Sequence, residues 1–394
     1  MGLEIRPARE EEGDEFKHVA GMALATSPEG SGIPPEFTLC VFEDGKLATA
    51  YGVLPLTMRF NGEGVPVAGV AAVGTLPIYR RRGYLRKVIT KHLALLHEQG
   101  ERAIAILWAA RAAIYQRYGY AVVSTQNSYD VAPRYLEFSL PQPITGTFRE
   151  ISDDELALLD DLYQKFIADR TGYIHRRRAQ WESGQLAPPP AGSSLTKVVY
   201  QEGDEPLGYV IYTQESMEGP GHPRLTIRDL TWLTVPAYRA VWNYLANMDE
   251  VSNIIWRLLP TDDPLPHLLL EPGMLNITSG DGIMGRIIDV ERALPQRPYL
   301  EEGTLTFEIT DNLCPWNQGR WKLETATEGS SISRAREEAQ LVMPISTLAM
   351  LVFGHISASE AARMGRLDVN EDSALPMWDK VMRTKYCPFC ADDF

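Results

Sequence analysis

Val73-Gly74-Thr75-Leu76-Pro77-Ile78-Tyr79-Arg80-Arg81-Arg82-Gly83-Tyr84-Leu85-Arg86 is the stretch on which the fold turns. The apolar run 65–75 reads as a strand ending at Val73-Gly74-Thr75, and Pro77 stops it. From about Gly83 onward, Leu85, Val88, Ile89, Leu93 and Leu96 fall on one helical face. A strand thus runs into a helix through arginines and a glycine. The first turn of a helix offers unpaired N–H groups and the positive end of its dipole, which suits a pyrophosphate. Gly83 would let phosphates approach the backbone. The alternative is a solvated basic helix start in which Gly83 serves only the turn. With no G-x-x-x-x-G-K-[ST], and no G-x-G-x-x-G after a strand, P-loop and Rossmann readings are disfavoured.

Working outward, Phe16, Val19, Ala20 and Ala23 mark a helix within 10–26, and 37–42 is strand-like. Asp44-Gly45 and Asn61-Gly62-Glu63-Gly64 supply turns around a return strand towards Arg59. Strands are expected at 103–107 and 122–131, with a short helical turn at 114–118. Pro133, Pro141 and Pro143 suggest a boundary. A second α/β segment follows, with a helix in 152–168, a loop at Pro188-Pro189-Pro190 and a hairpin about Glu202-Gly203-Asp204. A strand at 224–233 then leads into a helix over 237–247. This segment echoes the first: Thr75-Leu76-Pro77-Ile78-Tyr79-Arg80 recurs as Thr234-Val235-Pro236-Ala237-Tyr238-Arg239. In that alignment Gly83 becomes Trp242, and Arg81-Arg82 become Ala240-Val241. The last part has strand-like pieces at 305–309 and 320–323, and amphipathic helices near 344–353 and 357–364.

The 394 residues carry 38 Lys+Arg against 52 Asp+Glu, a net charge of −14, which predicts repulsion of nucleic acid and attraction of amines. No apolar run reaches the ~20 residues of a membrane span, and no signal peptide is evident. Four cysteines, Cys40, Cys314, Cys387 and Cys390, fit a reducing cytoplasm. Cys387-Pro388-Phe389-Cys390 lacks the second pair or histidines a zinc site requires, so no metal is expected and both cysteines read as buried. His92 and His97 read as structural. His175-Arg176-Arg177-Arg178 reads as a solvated basic run or as salt-bridge partners for the acidic excess.

Val73-Gly74-Thr75 followed by Arg80-x-x-Gly83-x-Leu85 resembles the acetyl-CoA site of the GNAT N-acetyltransferases, and Tyr115-Gln116-Arg117-Tyr118-Gly119-Tyr120 resembles their Y-x-x-x-G-[FY] segment. The triple arginine, Asp263-Pro264-Leu265-Pro266-His267-Leu268-Leu269 and the acidic-aromatic C-terminus make the whole chain similar to the Eis (enhanced intracellular survival) acetyltransferases. The resemblance implies tandem α/β GNAT domains, each a mixed sheet flanked by helices, followed by a sterol-carrier-protein-like α+β domain. The expected division is 1–135 for acetyl-CoA, 136–288 for a degenerate copy, and 289–394 with a tail entering the active site.

The resemblance also implies roles. Val73, Gly74 and Thr75 would line the pantetheine arm, with backbone pairing at Val73 and Thr75. Arg81, Arg82, Gly83, Tyr84, Leu85 and Arg86 would hold the pyrophosphate. Ala110 and Arg111 would sit beside the cofactor, Ala110 standing where these proteins often have Ser. Tyr115 would be the general acid and the terminal carboxylate of Phe394 the general base. Asp393 and Glu29 would make the pocket acidic, and Asp392 would add to its pull on ammonium groups. The expected reaction is acetylation of a primary amine (aminoglycoside, polyamine or lysine-like) by a cytoplasmic homo-oligomer, a hexamer as in the family. Two rivals stand beside it: a lipid or sterol carrier, and a GNAT-shaped protein that holds CoA without turnover.

Overall fold

A computed structural model describes residues 2–25, 32–215 and 223–394. Along the first part of the chain run β1 (Leu3–Arg6), α1 (Gly13–Leu24), β2 (Cys40–Glu43), β3 (Lys46–Phe60), β4 (Glu63–Thr75), α2 (Tyr84–Gln99), β5 (Ile104–Leu107), α3 (Ala112–Gln116) and β6 (Ala121–Val122). Next come β7 (Thr125–Val131), β8 (Thr147–Glu150), α4 (Leu156–Ile167), α5 (Arg178–Ser183), β9 (Ser193–Glu202), β10 (Glu205–Glu215), β11 (Arg224–Trp232), α6 (Val235–Ala246), β12 (Asn253–Pro260) and β13 (Thr278–Asp281). The last part holds β14 (Met284–Ile287), α7 (Val290–Ala293), β15 (Gly303–Thr310), β16 (Gly319–Ala326), β17 (Gly329–Arg334), β18 (Leu341–Pro344), α8 (Ile345–Phe353), α9 (Ala358–Arg363), β19 (Asp368–Val369) and α10 (Leu375–Met382).

Three sheets result, with strand orders β1-β2-β3-β4-β5-β14-β6, β13-β7-β12-β11-β10-β9-β8, and β17-β16-β15-β18-β19. The chain forms two compact units: Met1–Ser124 with Gly282–Thr384 and Phe394, and Thr125–Asp281 with Lys385–Asp393. The strand expected at 122–131 is therefore two strands. Val122 pairs with Met284 in the first sheet, whereas Thr125–Val131 pairs with β12 and β13 in the second. Beside the break, Ser124 accepts hydrogen bonds from the N–H groups of Gly282 and Ile283. The chain changes sheets at 124/125 and 281/282, eleven and seven residues before the boundaries read at 135 and 288.

The expected turns form, with left-handed φ at Asp44, Gly45, Asn61 and Gly62, as two-residue hairpins require. Each helix buries its apolar stripe. Phe16, Val19 and Ala20 of α1 join Cys40, Phe42 and Ala50. Val88, Ile89, Leu93 and Leu96 of α2 join Ala68, Val70, Ala105 and Leu107 in a separate cluster. Alternate β3–β4 residues thus feed two cores, one per face of the sheet. In the second sheet, Tyr238, Trp242 and Leu245 of α6 form one core, and Leu159, Leu162 and Tyr163 of α4 form another. In the third domain buried Arg297 donates to the carbonyls of Val381, Met382 and Arg383 at the end of α10, satisfying acceptors a helix leaves open. Among the described residues no helix is long and apolar enough to cross a membrane.

Candidate active site

Strand β4 has two features beyond its apolar pattern. In its pairing with β3, Ala50 faces Gly74 and Gly52 faces Ala71, so Ala72 and Val73 together face Tyr51. This is a β-bulge, with Ala72 at φ +49°, a conformation that costs an L-residue about 1–2 kcal/mol. Strand β4 also pairs with β5 only over Ala68–Val70. It continues to Thr75, so among the described residues the side of 71–75 turned away from β3 has no strand partner. That free edge can accept an extended, amide-bearing chain as a further strand. The Thr75 hydroxyl is engaged at 2.9 Å with Thr49. Gly74 has a packing reason too: a Cβ there would lie 2.3 Å from that of Ala23 on α1.

Arg81 and Gly83 enter α2 at φ +66° and +77°. A Cβ on Gly83 would meet nothing within 4 Å, so glycine is required by conformation rather than by contact. Gly83 is the N-cap, and no side chain caps the helix. The first-turn N–H groups of this 16-residue helix therefore keep their capacity for an anion. Arg80 Nε donates to the Thr75 carbonyl at 3.1 Å. Arg82 is ion-paired with Glu43 at 2.8 Å, and the Tyr84 hydroxyl donates to the same carboxylate. Glu43 thereby ties the loop to β2. Arg81 and Arg86 are exposed, and Leu85 packs on the α2 core.

Beyond β5 the chain turns through exposed Ala110 and Arg111 into α3, which carries Tyr115. Tyr115 is only 8% exposed, and its ring meets that of Tyr120 edge-on at 6.0 Å. Burial pushes its phenol up to about 12, so it stays protonated at neutral pH. Deeper in the same core, the Tyr51 hydroxyl shares a 2.9 Å hydrogen bond with His92 Nδ1. Burial pushes His92 down to about 3, keeping it neutral. His97 bonds Asp289 at 2.8 Å and stacks on Trp316, so both histidines serve packing.

The first unit also contains the last residue of the chain. A Cβ on Gly69 would lie 3.2 Å from the Phe394 ring and 2.5 Å from Leu56 Cδ1. Gly69 faces Ile106 of β5, one residue before the last β4–β5 pair. The Phe394 ring therefore lies over β4 beside the point where the two strands part. Asp393 is exposed, and Glu29 lies outside the described residues.

Three expectations change. Asp392 is buried and ion-paired with Arg176 at 2.7 Å, so its charge is spent inside the protein rather than on ammonium groups. Arg176 is itself buried, so the 175–178 run is not a solvated face there; its salt-bridge alternative holds. Cys390 is buried but Cys387 is exposed, because Cys387 lies where the tail runs over the surface; all four cysteines are free thiols. Sequence reasoning also passed over Gly69 and Glu43. A glycine inside an apolar strand signals close approach of another group, which would have flagged Gly69. Nothing local distinguishes Glu43 from other surface acids.

Comparison with known proteins agrees with this geometry. Residues 4–123 and 172–287 each match a family model described as an acetyltransferase (GNAT) domain, and 290–391 match a sterol carrier protein domain. An uncharacterized N-acetyltransferase of Streptomyces avermitilis is 28% identical over 100% of this chain and 99% of its own. The N-acetyltransferase Eis of Mycobacterium tuberculosis is 25% identical over 83% of this chain and 80% of its own. The crystal structure of a GCN5-related N-acetyltransferase from Anabaena variabilis covers both chains fully at TM-score 0.89 and 25% identity. That of Eis1 from Mycobacterium abscessus does so at 0.85 and 25%. The chain is an Eis-like N-acetyltransferase of the GNAT superfamily, two tandem GNAT domains followed by a sterol-carrier-protein-like domain.

Proposed function

We propose that this enzyme transfers acetyl from acetyl-CoA to a primary amine by direct attack, with no acyl-enzyme. The pantetheine arm pairs along Val73–Thr75, and the N–H groups at the start of α2 take the pyrophosphate, with Arg81 and Arg86 adding charge. The residues fit the ligand: a free strand edge, an uncapped helix start and exposed arginines lie in one short stretch. Ala110 and Arg111 border the cofactor from the β5 side. The amine nitrogen attacks the thioester carbonyl, which the N–H near Val73 polarises. Its proton passes to the terminal carboxylate of Phe394, and the C–S bond breaks towards Tyr115.

A phenol near 12 is a weaker acid than an ordinary thiol, at about 8.5. Full proton transfer to the leaving thiolate is therefore uphill. Tyr115 therefore acts by hydrogen-bonding the charge that develops on the departing sulfur. Asp393 and Glu29 favour cationic acceptors, so aminoglycosides, polyamines and lysine-like amines are the substrate classes. In this reading 1–135 carry the cofactor site, 136–288 a copy without cofactor, and 289–394 the tail that brings the base. The reading extends to a cytoplasmic homo-oligomer, supported for the compartment by four unpaired thiols and for six copies by family resemblance alone.

The observation that carries the proposal is the Phe394 ring over Gly69, beside the parting of β4 and β5. The test is acetyl-CoA consumption with a panel of these amines, for wild type, for Tyr115→Phe and for a chain extended by one C-terminal glycine. Extension moves the carboxylate by a residue and should cost about 100-fold or more in kcat. An extended chain working at full rate would falsify the terminal-base assignment.

A further inference from the structure

We propose that the parted strands of the second GNAT sheet form a socket for the chain's own C-terminal tail, with Arg176 as a positioning residue for the terminal carboxylate. The inference rests on the terminal-base reading above and names what holds that base in place.

Strands β11 and β12 run parallel and pair only from Arg224 to Ile227 against Asn253 to Trp256, then part. Between and beside their ends lies a cavity of about 20 Å³, bordered by Leu230, Leu258, Phe389 and Ala391, room for about one water. The tail borders this cavity through Phe389 and Ala391. Its contacts begin at Lys385, ion-paired with Asp169 at 2.6 Å, and Tyr386, whose ring lies under the Arg170 guanidinium at 4.2 Å. Cys387 N–H donates to Asp262 at 2.8 Å, and Phe389 N–H to the Thr171 carbonyl at 3.0 Å. Gly172, at φ +96°, lets the Phe389 backbone come so close that a Cβ would lie 2.6 Å from its carbonyl oxygen. The Phe389 ring joins the α4-side core.

The last anchor is electrostatic. Arg176 Nε donates to Asp392 at 2.7 Å, and Nη1 donates to Asp229. The guanidinium carbon lies 3.9 and 4.5 Å from the ring centres of Tyr163 and Trp181, which meet edge-on at 5.6 Å. Tyr209 donates to Asp229 at 2.7 Å, and the Tyr163 hydroxyl is 3.2 Å from Asp392. A planar fork can serve two carboxylates from two different nitrogens while lying against two aromatic rings, which calls for Arg rather than Lys. Chain ends fray unless tied down. A base misplaced by 1 Å loses about 100-fold. Asp392 is the last buried residue before Phe394, so its ion pair sets how far the terminal carboxylate can wander.

The test uses the full-length enzyme with Asp392→Asn and Arg176→Met. Asp392→Asn keeps the side-chain shape, so it carries the test if Arg176→Met leaves a buried carboxylate unpaired and does not fold. Three quantities are measured on protein whose thermal melt shows it folded: kcat, KM for acetyl-CoA, and the rate at which a carboxypeptidase releases Phe394, followed by mass. The expected result is kcat lower by roughly 10–100-fold, unchanged KM for acetyl-CoA, and release of Phe394 at least about tenfold faster. A merely structural role would lower the melting temperature without that split. Full kcat in folded Asp392→Asn overturns the proposal at any release rate. So does a fall in kcat without faster release, since the tail would then still be seated. If the glycine-extended wild type runs at full rate, the terminal-base reading fails and the positioning role with it. If that chain is inactive while Asp392→Asn is fully active, only the socket proposal fails.

Discussion

The two GNAT sheets of this chain make the same turn from strand to helix with opposite results. In the first, β4 leads through Arg81 and Gly83, both left-handed, into a helix whose first turn no side chain caps. In the second, β11 leads almost at once into α6, where the Thr234 side chain accepts from Ala237 N–H at 3.2 Å. The residues that align with Arg81, Arg82 and Gly83 are Ala240, Val241 and Trp242, all buried within α6. Both sheets contain a parallel pair that parts after three or four residues. In the second, Phe389 and Ala391 border the gap. A shared framework therefore says little about binding. A ligand site depends on whether backbone groups at the parting are left open or satisfied by the protein itself.

The largest effect should come from emptying the filled copy. Trp242→Ala removes one of the largest fully buried side chains and should lower unfolding stability by about 3–5 kcal/mol in denaturant titration, with no gain of CoA affinity. If CoA binding appears at the second sheet, the contrast between the copies is wrong. Gly83→Trp makes the first junction resemble the second. It places a side chain at positive φ in the phosphate loop and should weaken acetyl-CoA binding by about 100-fold in calorimetry, while the melting temperature falls by only several degrees, roughly what 1–2 kcal/mol of backbone strain costs. Retained affinity would remove that loop from the site.

Gly69→Ala probes the tail's end. Its Cβ would meet Leu56 and the Phe394 ring, so kcat should fall by about tenfold with KM for acetyl-CoA unchanged. Smaller still, Thr234→Ala should cost about 1 kcal/mol of stability and no activity, since that cap serves only the second copy's helix. Last is an expected absence of change. With Tyr115 held near 12, its phenol keeps its proton through the ordinary assay range, so kcat should show no alkaline fall from this group below about pH 11. An alkaline limb near pH 9 that vanishes in Tyr115→Phe would contradict the buried-phenol assignment.

Much of this was legible in the chain. Strand β4, helix α2, the two hairpin turns and the short helix bearing Tyr115 all follow from apolar period, Asp-Gly and Asn-Gly pairs, and Pro77. These signals are local, and local geometry obeys them. The echo at 234–239 correctly located a second junction, and the loss of its glycine correctly marked it as different. Less legible was the strand at 122–131. Its apolar pattern is continuous, yet hydrogen-bonding partners in two different sheets divide it at Ser124.

By itself, then, the sequence determined the tandem strand–helix plan, the glycine and arginines ahead of α2, the tyrosine after β5 and the aromatic chain end. Each depends on neighbours within a few residues. Tertiary structure alone decided which sheet takes 125–131, that Arg82 pairs with Glu43, that Gly69 lies against Phe394, and that Arg176 is a buried anchor rather than a solvated charge. Arg176 and Asp392 are 216 positions apart. A charge in a run of charges looks the same whether water or a distant carboxylate will neutralise it. Only folding brings the partner within Coulombic and hydrogen-bonding reach.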